Sequence, residues 1–182
     1  MTPLQRQIAD EIASTRTTGL AGPFAPWLAN PAIADAAQKL GRICRYETCF
    51  PLRQSEMLIL MTAACFEAQT EWDIHVGEAR KAGLEETTIE ALAKRQQPNF
   101  GAVASTEAGK DDASGDCVLW RFADELLRNQ GHVSDVAYTA MQQRFGERGL
   151  VDATAITGYY VLVAYTLNLF HIVDPSKRRT PS

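Results

Sequence analysis

Ser55-Glu56-Met57-Leu58-Ile59-Leu60-Met61-Thr62-Ala63-Ala64-Cys65-Phe66-Glu67-Ala68-Gln69-Thr70-Glu71-Trp72-Asp73-Ile74-His75 carries two signals at once. From Met57 to Cys65 the run is apolar but for Thr62, which predicts a helix buried on most sides. Within and just after it stand two carboxylates and one imidazole. Glu71 and His75 are four apart and share a helix face. A carboxylate beside an imidazole is a proton-transfer pair. Glu56 enters from the preceding helix. Burial among Met57, Leu60 and Met61 would disfavour its charge unless a partner compensates.

Outward from this stretch, helical patterns dominate. Thr2-Pro3 and Asn30-Pro31 each read as an N-cap followed by a first-turn proline. Behind the second, Ile33, Ala36, Ala37, Leu40, Ile43 and Cys44 form an apolar stripe at helical spacing. The buried run predicts a helix from about Arg53 to Ala68. Another follows from Thr70 to Ala82 and stops at Gly83, which favours a left-handed cap. Glu85 to Lys94 predicts a shorter one. Gln96 to Asp116 holds Pro98, Gly101, Gly109 and Gly115 without a sustained period and reads as a linker or mobile flap. Helical pattern resumes through Val118, Leu119, Phe122, Ala123, Leu126 and Leu127 and ends at Gly131. Ser134 caps the next helix, to about Phe145. No alternating segment of strand length is present. The expectation is a single all-α domain over residues 1–182, with a core region 20–95, a flexible loop 96–116 and a second helical half 117–173.

Composition narrows the partners. The chain has 182 residues, of which 46% are hydrophobic and 22% charged, as in soluble globular proteins. Its formal net charge of −4 offers no basic field to nucleic acid or anionic lipid. The N-terminus lacks a secretory pattern, since charges interrupt Leu4, Ile8 and Ile12. Ala153 to Val173 has no charged residue besides His171, yet Thr154, Thr157, Tyr159, Tyr160, Tyr165 and Asn168 suit a core or an oligomer interface better than lipid. Cys44, Cys49, Cys65 and Cys117 form no Cys-x-x-Cys and no zinc-like pairing. Cys65, inside the apolar run, reads as a buried structural thiol. Cys44 and Cys49 stand close enough in sequence to approach one another. A reduced, cytoplasmic protein is the expectation.

An internal echo accompanies the acid–base groups. Asp152 precedes His171 by the interval that separates Glu56 from His75. On that alignment Ala68 meets Ala164 and Thr70 meets Thr166, but Ala64 meets Tyr160 and Glu71 meets Leu167. The parallel suggests a duplicated helical hairpin whose second copy lost most of its chemistry.

The central stretch resembles the carboxymuconolactone decarboxylase superfamily, which includes the alkylhydroperoxidase D proteins. The peroxidase branch carries Glu-x11-Cys-x2-Cys-x3-His. On this chain its Glu falls on Glu56 and its His on His75, while its cysteines fall on Ala68 and Glu71. Asn30-Pro31, Pro51-Leu52-Arg53 and Gly83-Leu84 are also similar to the family, so the resemblance covers residues 20 to 95 and weakens beyond. A peroxidase of that type needs an attacking and a resolving thiol, and neither is present. Thr70-Glu71-Trp72-x2-His75 resembles instead the cysteine-free branch, similar to decarboxylases of carboxylated lactones. The resemblance implies an alkylhydroperoxidase D-like helical fold, a carboxy-lyase-like role such as aromatic catabolism uses, and a homo-oligomer, whether dimer, trimer or hexamer.

Together these readings nominate Glu56, Glu71 and His75 as catalytic residues and Trp72 as a substrate contact, with no metal and no organic cofactor. His75 would donate the proton to an enolate-like carbon after loss of carbon dioxide. Glu71 would orient it, and Glu56 would hold it or relay the proton. His75→Gln is expected to abolish turnover with the fold intact. Two readings compete. A redox protein would use Cys65 or the Cys44/Cys49 pair. A non-catalytic oligomeric binding module would have no ligand-sized cavity at Glu71 and His75. Glu71 is also an ordinary first-turn residue, and the three could ligate a metal. His132 reads as a solvated loop residue, and His171 as packing or facing an interface.

Overall fold

Helix-start chemistry sets the first elements of the computed structural model, which describes residues 1–15, 19–101 and 113–173. Thr2 and Gln5 form a reciprocal cap: the Gln5 N–H donates to Thr2 Oγ1 at 3.2 Å and the Thr2 N–H to Gln5 Oε1 at 2.7 Å. Helix α1 (Pro3–Thr15) follows, and a short α2 (Phe24–Trp27) leads to α3 (Pro31–Tyr46). Asn30 Oδ1 accepts the Ile33 N–H at 3.4 Å, so the Asn-Pro signal acts as read. Then come α4 (Leu52–Cys65), α5 (Gln69–Lys81), α6 (Glu86–Ala93), α7 (Ala113–Arg128) and α8 (Asp135–Leu169). All regular elements among the described residues are helices, so the chain is all-α.

α4 lies at the centre. It packs against α3, α5, α6, α7 and α8, so every one of its faces meets protein. That is why its sequence shows almost no amphipathic pattern: Met57, Leu58, Ile59 and Leu60 are all fully buried. It ends at Cys65, earlier than Ala68. Glu67 takes a left-handed conformation (φ 52°), and the Ala68 N–H folds back to the Ala63 carbonyl at 2.9 Å. α5 closes in the same manner. Gly83 (φ 88°) lets the Leu84 N–H reach the Ala79 carbonyl at 2.9 Å.

The apolar stripe expected on α3 is corrected. Ala34, Ala37, Gln38, Gly41 and Cys44 face the interior, while Ile33 (48%), Leu40 (42%) and Ile43 (42%) are exposed. Small residues win the inner face because α3 lies tight on α8. A Cβ at Gly41 would collide with the Tyr159 ring and hydroxyl. Gln38 is tolerated inside because its amide donates to Glu11 Oε1 at 2.9 Å.

α8 contains non-helical backbone at Gly146 (φ 69°), so its axis is interrupted just after Phe145, where the sequence placed a helix end. The second part, 147–169, is one uninterrupted helix. α8 is long and apolar enough to cross a membrane by length and composition, but Ile156, Tyr159, Tyr160, Val163 and Leu167 are buried in the core. This continuity also corrects the idea of a duplicated hairpin. The turn at Phe66 to Ala68 would align with 162–164, which lie inside α8 with Val163 and Ala164 buried.

Most of the proposed 96–116 loop lies outside the described residues, but its last four positions are the first turn of α7. Asp116 is buried there, forms an ion pair with Arg53, and accepts the Gln54 side-chain amide at 2.8 Å.

Candidate functional site

The turn between α4 and α5 folds the two helices face to face, and this brings Glu56 and His75 together. Glu56 is fully buried, and its Oε2 lies 2.6 Å from His75 Nδ1. On the other side of the ring, His75 Nε2 lies 2.9 Å from Glu71 Oε1, one turn back on α5. A carboxylate therefore occupies each ring nitrogen. Both carboxylates accept a ring N–H at once only if the ring is the doubly protonated imidazolium. Burial pushes His75 toward the neutral form. The charge of Glu71, hydrogen bonds to both carboxylates and the charge of Glu56 outweigh it and raise its pKa to about 9.

Two residues that the sequence did not nominate complete the cluster. Arg45, on α3, brings its Nε to 3.5 Å from Glu56 Oε1 and its Nη2 to 3.2 Å from Glu78 Oε2. The first contact is an ion pair without hydrogen-bond geometry. Arg45 directly follows Cys44 and extends the inner stripe of Ala34, Gln38 and Gly41, a face that shows only with α3 packed in place. The second is Tyr160, on α8, whose ring meets His75 edge to face at 5.3 Å. Tyr160 continues an edge-to-face series through Tyr159 (5.2 Å) and Trp27 (6.3 Å) to Phe24 (5.6 Å). Burial, and after it the charge of Glu71, raises the Tyr160 phenol well above its ordinary value, so it stays neutral.

Glu56, Glu71 and His75 are strung along the imidazole instead of converging on a point. Among the described residues no group of three or more His, Cys, Asp or Glu side chains is arranged to hold a metal ion. Nor does any of the three line the four cavities described. Thr70 and Ile74, the sequence neighbours of Glu71 and His75, border one of about 390 Å³, and Ala68, Gln69 and Trp72, with Glu67 and Arg95, border another of about 300 Å³. Trp72 is half-buried there. His75 itself is only 4% exposed.

The other nominated positions separate. Asp152 accepts the Cys49 N–H at 2.7 Å and pairs with Arg148 at 3.4 Å. His171 sits past the end of α8 in a left-handed conformation (φ 50°) and is exposed, as is His132. Among the described residues no disulfide joins any of the four cysteines. Cys44 is buried, and desolvation, reinforced by Asp152, pushes its thiol up to about 11. Cys65 is not the enclosed structural thiol that the apolar run suggested. It stands at the last residue of α4, half-buried, and lines a different cavity. Compared with protein-family models and with curated proteins, the sequence matches none.

Proposed function

We propose that Glu56, His75 and Glu71 form the proton relay of a cofactor-independent enzyme resembling carboxymuconolactone decarboxylase. The substrate is a small carboxylated lactone or carbonyl compound. One observation carries this reading: a carboxylate stands 2.6 Å and 2.9 Å from the two ring nitrogens of His75, an arrangement that favours the imidazolium. The all-α architecture and the pairing of Glu56 with His75 across the α4–α5 turn support the alkylhydroperoxidase D-like fold.

The roles follow from which atoms are occupied. Glu56 and Arg45 hold the Nδ1 side from the interior, so Glu56 is the anchor. Nε2 faces Glu71, so a proton leaving His75 passes first to Glu71. Glu71 is flanked in sequence by the wall of the Trp72 cavity, and it is the last group of the relay. Loss of carbon dioxide breaks a carbon–carbon bond and leaves its electron pair on the lactone as an enolate. His75 Nε2 gives its proton to the Glu71 carboxylate, Glu71 delivers it to that carbon, and solvent water restores the proton to His75 for the next turnover. A store of protons at neutral pH suits this step, and the raised pKa of His75 provides one. Peroxide reduction is disfavoured because burial raises the thiols of Cys44 and Cys65.

The test is carbon dioxide release from γ-carboxymuconolactone by the purified chain. Turnover is expected, and Glu71→Gln should lower it by roughly 10²–10⁴. Glu71→Gln is cleaner than His75→Gln, because removing the imidazolium leaves Glu56 and Glu71 facing one another without a cation between them. Full activity in Glu71→Gln, or none in the parent chain, contradicts the assignment.

One observation favours a second reading. Because the relay lines none of the described cavities, it can act as a buried ionic lock joining α3, α4 and α5 in a binding module. In that case Glu71→Gln changes stability while the parent chain shows no lyase activity. Self-association accompanies either reading. Exposed Ile33, Leu40 and Ile43 on α3, and Leu162, Tyr165 and Leu169 on α8, supply the apolar surface. Light scattering should give a mass above that of the 20.0 kDa protomer.

A further inference from the structure

A second cavity lies on the far side of α4 from the relay. Met61 and Cys65 line it, and they sit about 140° and 180° round the helix from Glu56. Its volume is about 300 Å³, the lower end of the range of small-molecule sites. Met61, Leu92, Trp120 and Leu127, from α4, α6 and α7, give it an apolar floor. Two guanidinium groups, Arg95 and Arg128, complete its wall with Gln96 and the Asp124 carboxylate that Arg128 engages.

The two arginines are engaged differently. Arg128 Nε donates to Asp124 at 2.6 Å, and its Nη2 donates to the Arg95 carbonyl at 3.1 Å. It is a strut. It braces a turn in which Arg95 holds a left-handed conformation (φ 54°), closed by the Gln96 N–H on the Ala91 carbonyl at 2.9 Å. At such a helix end glycine carries no Cβ penalty. An arginine there, with its backbone pinned by a second arginine, starts its side chain from a fixed point beside the cavity. Arg95 reaches Glu67 Oε1 only at 4.0 Å, beyond hydrogen-bond distance. Its planar fork matches a carboxylate through two parallel hydrogen bonds.

We infer that this cavity binds a small amphipathic carboxylate, its anionic head on Arg95 and its aliphatic or aromatic body against Met61, Leu92, Trp120 and Leu127. Cys65 forms part of the wall, so an occupant covers its sulfur. Arg95 also bounds the Trp72 cavity, but Glu56, Glu71 and His75 line neither pocket, so the inference stands whether or not the relay is catalytic.

Octanoate is a suitable probe and octan-1-ol its uncharged counterpart. Alkylation of Cys65 by iodoacetamide is followed by mass spectrometry of its peptide. Octanoate at about 1 mM should slow that reaction several-fold, with octan-1-ol slowing it less. Arg95→Leu, at an exposed position, should weaken octanoate binding roughly tenfold and erase the preference over octan-1-ol. Leu127→Trp, which fills the floor, should abolish octanoate binding by calorimetry. Glu71→Gln should leave it within about twofold. The assignment fails if octanoate leaves Cys65 unprotected, or if Arg95→Leu retains the preference. It also fails if Leu127→Trp binds undiminished, or if Glu71→Gln abolishes binding.

Discussion

Glu56 and His75 are separated by the same number of residues as Asp152 and His171, yet only the first pair meets. In the first, the chain turns back at Phe66 to Ala68, and the side chains close to 2.6 Å. In the second, the chain continues through α8, and the two residues stand roughly 25–30 Å apart along one axis. The lesson concerns the three residues between the helices. Glu67 adopts a left-handed conformation and stops α4. The aligned 162–164 are Leu-Val-Ala, which continue a helix with Val163 and Ala164 in the core. An interval in sequence becomes a distance only through the turn inside it.

The largest test of this contrast is removal of the acid in each pair. Glu56→Ala leaves the His75 imidazolium and Arg45 without their buried partner and should cost roughly 3–5 kcal/mol in urea unfolding. Asp152→Ala loses a hydrogen bond and a partly exposed ion pair and should cost about 1–2 kcal/mol. Equal losses would erase the distinction.

Next comes the pH dependence. The pKa of His75 is raised from 6.5 unfolded to about 9 folded. Between those values the folded state holds a proton that the unfolded state has released. Stability is therefore fully supported below about 6.5 and falls as pH rises toward 9, by on the order of 3 kcal/mol in all. Charges facing the ring come from α4 (Glu56) and α5 (Glu71), with Arg45 of α3 behind Glu56 and neutral Tyr160 of α8 at its edge. Denaturation midpoints measured across this range should fall in the parent chain and flatten in His75→Gln. They should fall unchanged in His171→Gln. Cys44 adds its own decline only above about 9.

Gly41→Ala probes how α8 supports the ring. The added methyl meets Tyr159, next in the aromatic series to Tyr160, and should cost about 1–3 kcal/mol by thermal unfolding. An unchanged melting temperature would mean that the α3–α8 approach is looser than described. The smallest effect belongs to His171→Gly. It relieves a left-handed conformation and should stabilise by up to about 1 kcal/mol. A loss of stability there would give His171 a role beyond ending a helix.

How much of this was legible in the residues varies by element. The all-helical class and most starts and stops could be read because Thr2, Asn30, Ser134, Gly83 and Gly131 act locally. α4 was legible as a buried helix because nothing polar interrupts Met57 to Met61. α3 misled, since its largest apolar residues face out and its small ones face in. The choice is made by the closeness of α8, which no single helix encodes. The relay was half legible: the Glu71–His75 pair follows from helical spacing, whereas the Glu56–His75 contact required the turn. Arg45 and Tyr160 come from distant segments and could be found only once α3 and α8 were in place. Arg95 gave no signal, because the brace from Arg128 reaches across from α7 to the turn after α6, a contact made only when both helices pack on α4.

The central claim is that His75 is a buried imidazolium held by a carboxylate on each nitrogen. Nitrogen-15 NMR of the imidazole tests it directly. The account predicts both ring nitrogens protonated at pH 7, with the proton lost near pH 9. A ring carrying one bare nitrogen at pH 7, or titrating at or below the ordinary histidine value, would contradict it.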